Sequence, residues 1–455
     1  MKGNLIDRPE CVFLVLALIF GLIFVFINPP FGVVDEGSHF YKAFDISRGN
    51  LIPKDIIIQI PISIRNLDNF SDSEITNFTK LYFYSLQPLN VNETYAVNIS
   101  NIAIYPPLPY LASGFIIFLG DLFNFSPLSL MYFGRLVNLL IYIIIVYFGI
   151  KVTPIHKYVL LLVALMPTTL YQASSLSADS LNLALSFLTI SFFLHLALVK
   201  DKIHNKDILI SLILIFTLIF SKQAYALLAF LFFIIPKEKF KEISRLTSFL
   251  IVSLPSLISL IFWNLTFKSK YSSHIGELVS SDYNIHFILS NPLNFPTILI
   301  NTLIKTFPSY ITTFVGIFRW SVYYLPLYLI YSYCIILVIA SFLDNSKYEL
   351  SFREKIIPLF IFSVTSLSVF LFEFITYTPI DCIHRYKIIA GVQGRYFIPI
   401  VPLFLLIFYN SKLSNYISTK IKSHINMYKN ILQCLCIIFI ILYLVVSSYI
   451  IYYAI

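Results

Sequence analysis

Charge is what this chain has least of. Only 12% of its 455 residues are Asp, Glu, Lys or Arg, while 58% are hydrophobic. So little polar material excludes a water-soluble domain and requires a polytopic membrane protein. Cysteine is scarce too: Cys11, Cys334, Cys382, Cys434 and Cys436. Four of them lie in apolar runs, and no disulfide framework or zinc spacing appears. Walker A, HExxH and GxSxG signatures are absent. No internal repeat is evident, which argues against an inverted-repeat transporter. The segment from Met1 to Glu10 lacks the short apolar stretch and small-residue cleavage site of a removable signal, so the first apolar run reads as a retained anchor. Net charge is +9, but the lysines fall in short loops between apolar runs. That is the positive-inside pattern of cytoplasmic loops, so no nucleic-acid partner is expected.

What is abundant fits a bilayer. Aromatics make up 17% of the chain, with 31 Tyr and 44 Phe, which suits a lipid-facing surface with interfacial belts. Lys2 and Arg8 precede the first run and place the amino terminus in the cytoplasm. Crossings are then expected at 11–27, 128–150, 158–174, 180–199, 208–221, 223–235, 246–267, 325–343, 357–377, 395–409 and 431–453. The fold class is therefore all-α, a single membrane domain over 1–455 with about eleven transmembrane helices and an outside carboxyl terminus. Basic loops containing Lys151 and Lys157, Lys200 to Lys206, Lys237 to Arg245, Lys347 to Lys355 and Lys412 to Lys429 fall inside. The first external loop covers 29–127 and the second 268–324. The stretch 106–123 is apolar but short, and counting it as a crossing would put Lys151 and Lys157 outside. It is expected to lie in the outer interface. Asn77, Asn92 and Asn98 fit the glycosylation acceptor pattern, at a frequency that chance explains in so Asn-rich a chain.

The chain is organised around Pro29-Pro30-Phe31-Gly32-Val33-Val34-Asp35-Glu36-Gly37-Ser38-His39-Phe40-Tyr41-Lys42. Pro29 and Pro30 stop the first membrane helix. Two carboxylates and a histidine follow at its mouth, where charge is expensive and usually functional. A short surface helix is expected, with Asp35 free to cap it and Asp35, His39 and Lys42 on one face beside Glu36. The plain alternative for Asp35 is a helix cap and nothing more. The outer side also collects Asp179, Lys222, Arg319, His384, Arg385 and Arg395. The plain readings are an N-cap for Asp179, a snorkelling Lys222 and an interfacial anchor for Arg395. Together they suit another role. Arg and Lys at that depth can hold a headgroup phosphate. Carboxylates opposite them can deprotonate a hydroxyl, or hold a divalent cation such as magnesium or manganese. Glu373 is the one carboxylate placed deep in a late helix.

These landmarks carry a resemblance. Pro29-Pro30 with Asp35-Glu36-Gly37-Ser38-His39-Phe40, Ser177-Ala178-Asp179, Gly316 to Trp320 with Leu325-Pro326, and Gln393-Gly394-Arg395-Tyr396-Phe397-Ile398-Pro399 look like those of an uncharacterised family of predicted bacterial membrane proteins. That family is similar to the GT-C superfamily of integral membrane glycosyltransferases. The resemblance implies transfer of a sugar from a polyprenyl-phosphate donor to a glycan, lipid or protein acceptor outside the cytoplasmic membrane, with inversion. It implies Asp35 as base, Glu36 and His39 orienting the base or the acceptor, and Asp179 at a metal or the acceptor. Arg395 and Lys222, with Arg385 among the same outer basic groups, would hold the donor phosphate. The stretch Pro106 to Tyr110 is similar to the interfacial helix before the second crossing in such enzymes. Two other classes stay open: a carrier or flippase for lipid-linked glycans, and a glycan polymerase or ligase.

Overall fold

The computed structural model describes residues 7–52, 55–69, 78–99, 102–103, 105–271, 279–319, 322–344, 346, 348–413 and 425–453. Asn77, Ser100, Trp320, Lys347, Lys420 and Lys422 lie outside them. The polypeptide is mostly helical. Its main helices are α1 Pro9–Ile27, α2 Glu36–Ser47, α3 Leu111–Leu122, α4 Pro127–Val152, α5 Lys157–Ala164, α6 Pro167–Ala173, α7 Asp179–Leu198 and α8 Asn205–Ser221. There follow α9 Arg245–Tyr271, α10 Ser281–Ser290, α11 Asn294–Val315, α12 Leu327–Leu343, α13 Phe352–Tyr377, α14 Val401–Leu405 and α15 Ile425–Tyr453. Two small antiparallel hairpins, Ile57–Pro61 with Thr94–Asn98 and Ile317–Phe318 with Tyr323–Tyr324, and shorter helical segments such as Phe78–Leu86 and Cys382–Tyr386 lie between them.

Local chemistry sets the helix ends. Pro9 opens α1, where a missing N–H goes unnoticed, and Pro29-Pro30 follows its last turn. Ser126 caps α4 by accepting from the Ser129 N–H, with Pro127 at the first position. Ser351 and Glu354 form a reciprocal capping box at α13.

Among the described residues, six helices are long and apolar enough to cross a membrane: Pro9–Ile27, Pro127–Val152, Asp179–Leu198, Arg245–Thr266, Phe352–Tyr377 and Leu432–Tyr453. A seventh is obtained if α10 and α11, which meet at a bend of 109°, form one span. The chain is thus a multi-pass membrane protein, and exposed Phe262, Leu265 and Ile19 give it a lipid-facing surface.

The other five expected crossings are helical but short or broken. Pro167 separates α5 from α6. Lys222, in an extended conformation, separates α8 from a 3-10 segment, Gln223–Ile234. The helix α12 has 17 residues. The run after Gly394 is broken at Pro399 into a 3-10 segment Gly394–Phe397 and α14, which has Pro402 in its first turn and passes directly into a 3-10 turn Leu406–Phe408. The stretch expected in the interface is α3, preceded by a 3-10 turn, Leu108–Tyr110; it is too short to span and packs on α2 and α4. The second external loop of the sequence reading, in contrast, is largely the bent pair α10–α11.

Four apolar clusters hold the described elements together. One joins α1, α4, α5, α6, α12 and α15. A second joins the carboxyl-terminal part of α7 with α8, Gln223–Ile234 and the 400–409 run. A third packs α2 and the first hairpin on α3 and the start of α4. A fourth packs α11 on the end of α13 with Ile383 and Ile389.

Candidate functional site

Asp35 is the first residue of the site, and it is not a cap. It sits in the left-handed region (φ +65°) just before α2, and its side chain accepts no helix N–H. That conformation costs about 1 kcal/mol for most residues, less for Asp. The turn points the carboxylate away from its own helix. Its Oδ2 accepts from Arg395 Nη2 at 2.9 Å. The other arm of Arg395, Nη1, lies 3.8 Å from Asp179 Oδ2. Asp179 Oδ1 in turn accepts from Lys222 Nζ at 2.7 Å. Both cations lie over the ring of Tyr396, at 5.4 Å for Arg395 and 5.0 Å for Lys222.

Four elements therefore deliver one alternating row, Asp35–Arg395–Asp179–Lys222. Each cation carries the nearest opposite charge, which is how buried ions are tolerated. Asp179 is the first residue of α7, where an anion meets the positive end of the helix dipole, but its carboxylate caps nothing. Lys222 sits at the break after α8 rather than snorkelling. Arg395 is 6% exposed and Asp35 32%, so the row opens at the Asp35 end. The Nε of Arg395 is buried without a partner, leaving one donor available for a ligand.

His39 lines one side. Its Nδ1 is 2.9 Å from the Tyr110 hydroxyl, and its ring stacks near Tyr105 and Tyr110. Burial pulls its pKa down to about 4 against the pull of Asp35 and Asp179, so it is neutral at pH 7. Lys42 does not join the row. It is buried one turn on and donates to the carbonyls of Ile102, Ala103 and Tyr105, tying that loop to α2.

Glu36 faces the other way. Its two oxygens accept from Arg135 Nε and Nη2 at 2.7 and 2.6 Å, both side chains fully buried. Glu36 Oε1 also accepts from the Leu176 N–H, and Arg135 donates to the carbonyls of Val25, Asn28 and Pro29. The expectation that Glu36 orients the base or the acceptor does not match this geometry: the carboxylate is wholly engaged in joining α1, α2, α4 and the turn before α7. Arg385 is exposed beside Tyr386, and no described contact joins it to the row. His384 meets Tyr283 instead. Arg319 lies in the turn of the second hairpin, with its cation over Tyr323.

Arg135 went unnoticed in the sequence reading, though a lone arginine in the apolar run 128–150 was a visible signal. Tyr396 was visible beside Arg395 in the Gly394-to-Pro399 landmark, whereas Tyr105 carried no signal, because it reaches the row only through the fold. No group of three or more His, Cys, Asp or Glu side chains able to hold a metal ion occurs among the described residues. The five cysteines are all free.

Fold and site together define a multi-pass membrane protein with a neutralised row of charges at one end of its helices. A family profile, predicted membrane protein (DUF2142), matches residues 18–404. The chain belongs to that family. No curated protein and no solved structure matches it.

Proposed function

We propose that this protein is an integral membrane glycosyltransferase. It moves a sugar from a polyprenyl-phosphate donor to an acceptor at the outer side of the cytoplasmic membrane, with inversion. In this reading the five short or broken helices also cross, giving eleven spans. The observation that carries the proposal is the row itself: Arg395 and Lys222 converge beside Asp35, with one Arg395 donor unused. Guanidinium and ammonium groups at headgroup depth are the chemistry a lipid phosphate needs.

The row also supplies an order of events. The donor phosphate competes with Asp35 for Arg395 and frees the carboxylate. Asp35, the more exposed of the two acids, then takes the proton of the acceptor hydroxyl. The acceptor oxygen bonds to the anomeric carbon as the carbon–phosphate oxygen bond breaks. The pair of electrons leaves on the phosphate, where Arg395 and Lys222 hold the charge. Asp179 keeps the two cations in place, and neutral His39 with Tyr110 fixes the wall beside them.

The test compares cell-surface glycans by mass spectrometry in strains carrying wild-type protein, Asp35→Asn or Arg395→Gln at matched membrane levels. Loss of one sugar mass in both variants is expected. Identical glycans in all three strains would reject sugar transfer. Continued movement of lipid-linked glycan across the membrane by Asp35→Asn protein, with no transfer by wild type, would favour a flippase.

A further inference from the structure

Two of the three carboxylates around the row are already neutralised. Asp35 is held by Arg395 and Asp179 by Lys222. The third, Glu373, lies near the end of α13, four residues before Tyr377. It is within electrostatic reach of Lys222, Arg395 and Asp35. Tyr105 and Tyr396 feel its charge as well. Among the described residues, however, neither of its carboxylate oxygens has a hydrogen bond or an ion pair.

The backbone makes room for this side chain. Gly391 holds φ +85° directly against it, and a Cβ there would lie 2.7 Å from Glu373 Oε2 and 2.4 Å from the Tyr377 ring. Glycine is therefore required twice at this position, by conformation and by space. The same loop delivers Gly394-Arg395 three residues later. A partly buried carboxylate kept free in this way has unused acceptors. The charges of the row already balance as two acids and two bases, so Glu373 is not needed to neutralise either cation.

Three tyrosines lie near this acid: Tyr377 shares the space at Gly391 with it, and Tyr105 and Tyr396 lie within electrostatic reach of it. A free carboxylate accepts from two adjacent hydroxyls at once, while rings cover the apolar face of a pyranose. We infer that Glu373, with Tyr105, Tyr377 and Tyr396, forms the subsite for a hydroxyl-bearing sugar ring, beside the phosphate held by Arg395. The inference rests on the sugar-transfer reading and adds to it a specificity residue that the row does not contain. Glu373 touches the sugar hydroxyls. Proton transfer remains with Asp35.

The test uses full-length protein in liposomes and two readouts. A hydrophobic carbodiimide labels free carboxyl groups, located by mass spectrometry of peptides. Binding is measured for sugar-free polyprenyl phosphate and for its glucose- and mannose-linked forms. Wild-type Glu373 is expected to be labelled in the empty protein, to be protected by at least one sugar-linked form and to stay reactive with sugar-free polyprenyl phosphate. Glu373→Gln is expected to weaken the protecting form about tenfold, the worth of a charge-assisted hydrogen bond, and to leave the sugar-free lipid unchanged. Arg395→Gln is expected to weaken both. Equal protection by lipids with and without sugar, no protection by either sugar form, or an equal loss for all lipids in Glu373→Gln would overturn the sugar subsite. If wild-type protein binds none of the lipids, the transferase reading falls with it. If it binds sugar-free polyprenyl phosphate through Arg395 while Glu373 remains indifferent to sugar, only the subsite falls.

Discussion

Asp35 and Glu36 are neighbours of the same chemistry, and their replacement is predicted to have opposite consequences. Glu36→Gln leaves the fully buried Arg135 without its counter-charge and removes two charge-assisted hydrogen bonds. Breaking one side of such a pair costs about 3–5 kcal/mol. The carbonyls of Val25, Asn28 and Pro29 still receive the guanidinium, which puts the expected loss near the low end, about 3 kcal/mol. Asp35→Asn removes an ion pair whose acid is about a third exposed, and the buried Arg395 keeps Asp179 3.8 Å from its other arm, so the expected loss is about 1 kcal/mol. Asn tolerates the left-handed backbone as well as Asp does, so that turn survives. The assay is thermal unfolding of purified protein in detergent, followed by size-exclusion fluorescence at fixed protein and lipid. Glu36→Gln should lower the midpoint by several degrees, on the order of 5 °C, and Asp35→Asn by at most a degree or two. Arg135→Gln should resemble Glu36→Gln, and the double variant should lose less than the two singles added, because they share one interaction. A Glu36→Gln protein as stable as wild type, or additive losses in the double variant, would refute the separation of a structural Glu36 from a site Asp35.

Three further outcomes follow from the geometry. His39 is held neutral with a pKa near 4 when folded and titrates near 6.5 when unfolded. The unfolded chain therefore binds the extra proton between those values, and stability should fall as pH drops from 6.5 toward 4, by up to about 3 kcal/mol; His39→Gln should flatten unfolding curves measured across that window. Lys42→Met leaves three carbonyls of residues 102–105 without their donor, and should cost about 2–3 kcal/mol; faster hydrogen exchange in residues 105–110 would be the local sign, and unchanged exchange would contradict the tie. Gly394→Ala would set a Cβ 1.9 Å from the Tyr310 carbonyl, displacing Arg395 without altering any charge; polyprenyl phosphate binding should fall as it does in Arg395→Gln, whereas wild-type binding would show that the placement of Arg395 is not critical.

What could be read from the chain, and what could not, follows from how each signal is written. Long apolar runs with at most one charge, such as 128–150 and 357–377, specify spanning helices locally, and those helices are present. The break at Lys222 was legible, because a lysine parts two apolar runs. Those at Pro167 and Pro399 leave hydropathy almost untouched, so a run such as 395–409 reads as one crossing while its backbone forms three short pieces. The bend between α10 and α11 hid for the opposite reason, because polar residues around it made the segment look like a loop. The site divides in the same way. Asp35, Asp179, Lys222 and Arg395 were conspicuous because each is a charge where a membrane protein can scarcely hold one, and they come together. Their pairing was not legible, since it depends on where helices separated by up to 360 positions end. Local spacing also misled for Lys42, though not for His39: the left-handed turn at Asp35 sends its carboxylate to Arg395 beside His39, while Lys42 turns to the 102–105 carbonyls. A residue that breaks the helical pattern just ahead of a helix is thus the point at which face-counting fails. Here that same break releases Asp35 from capping and presents it to Arg395.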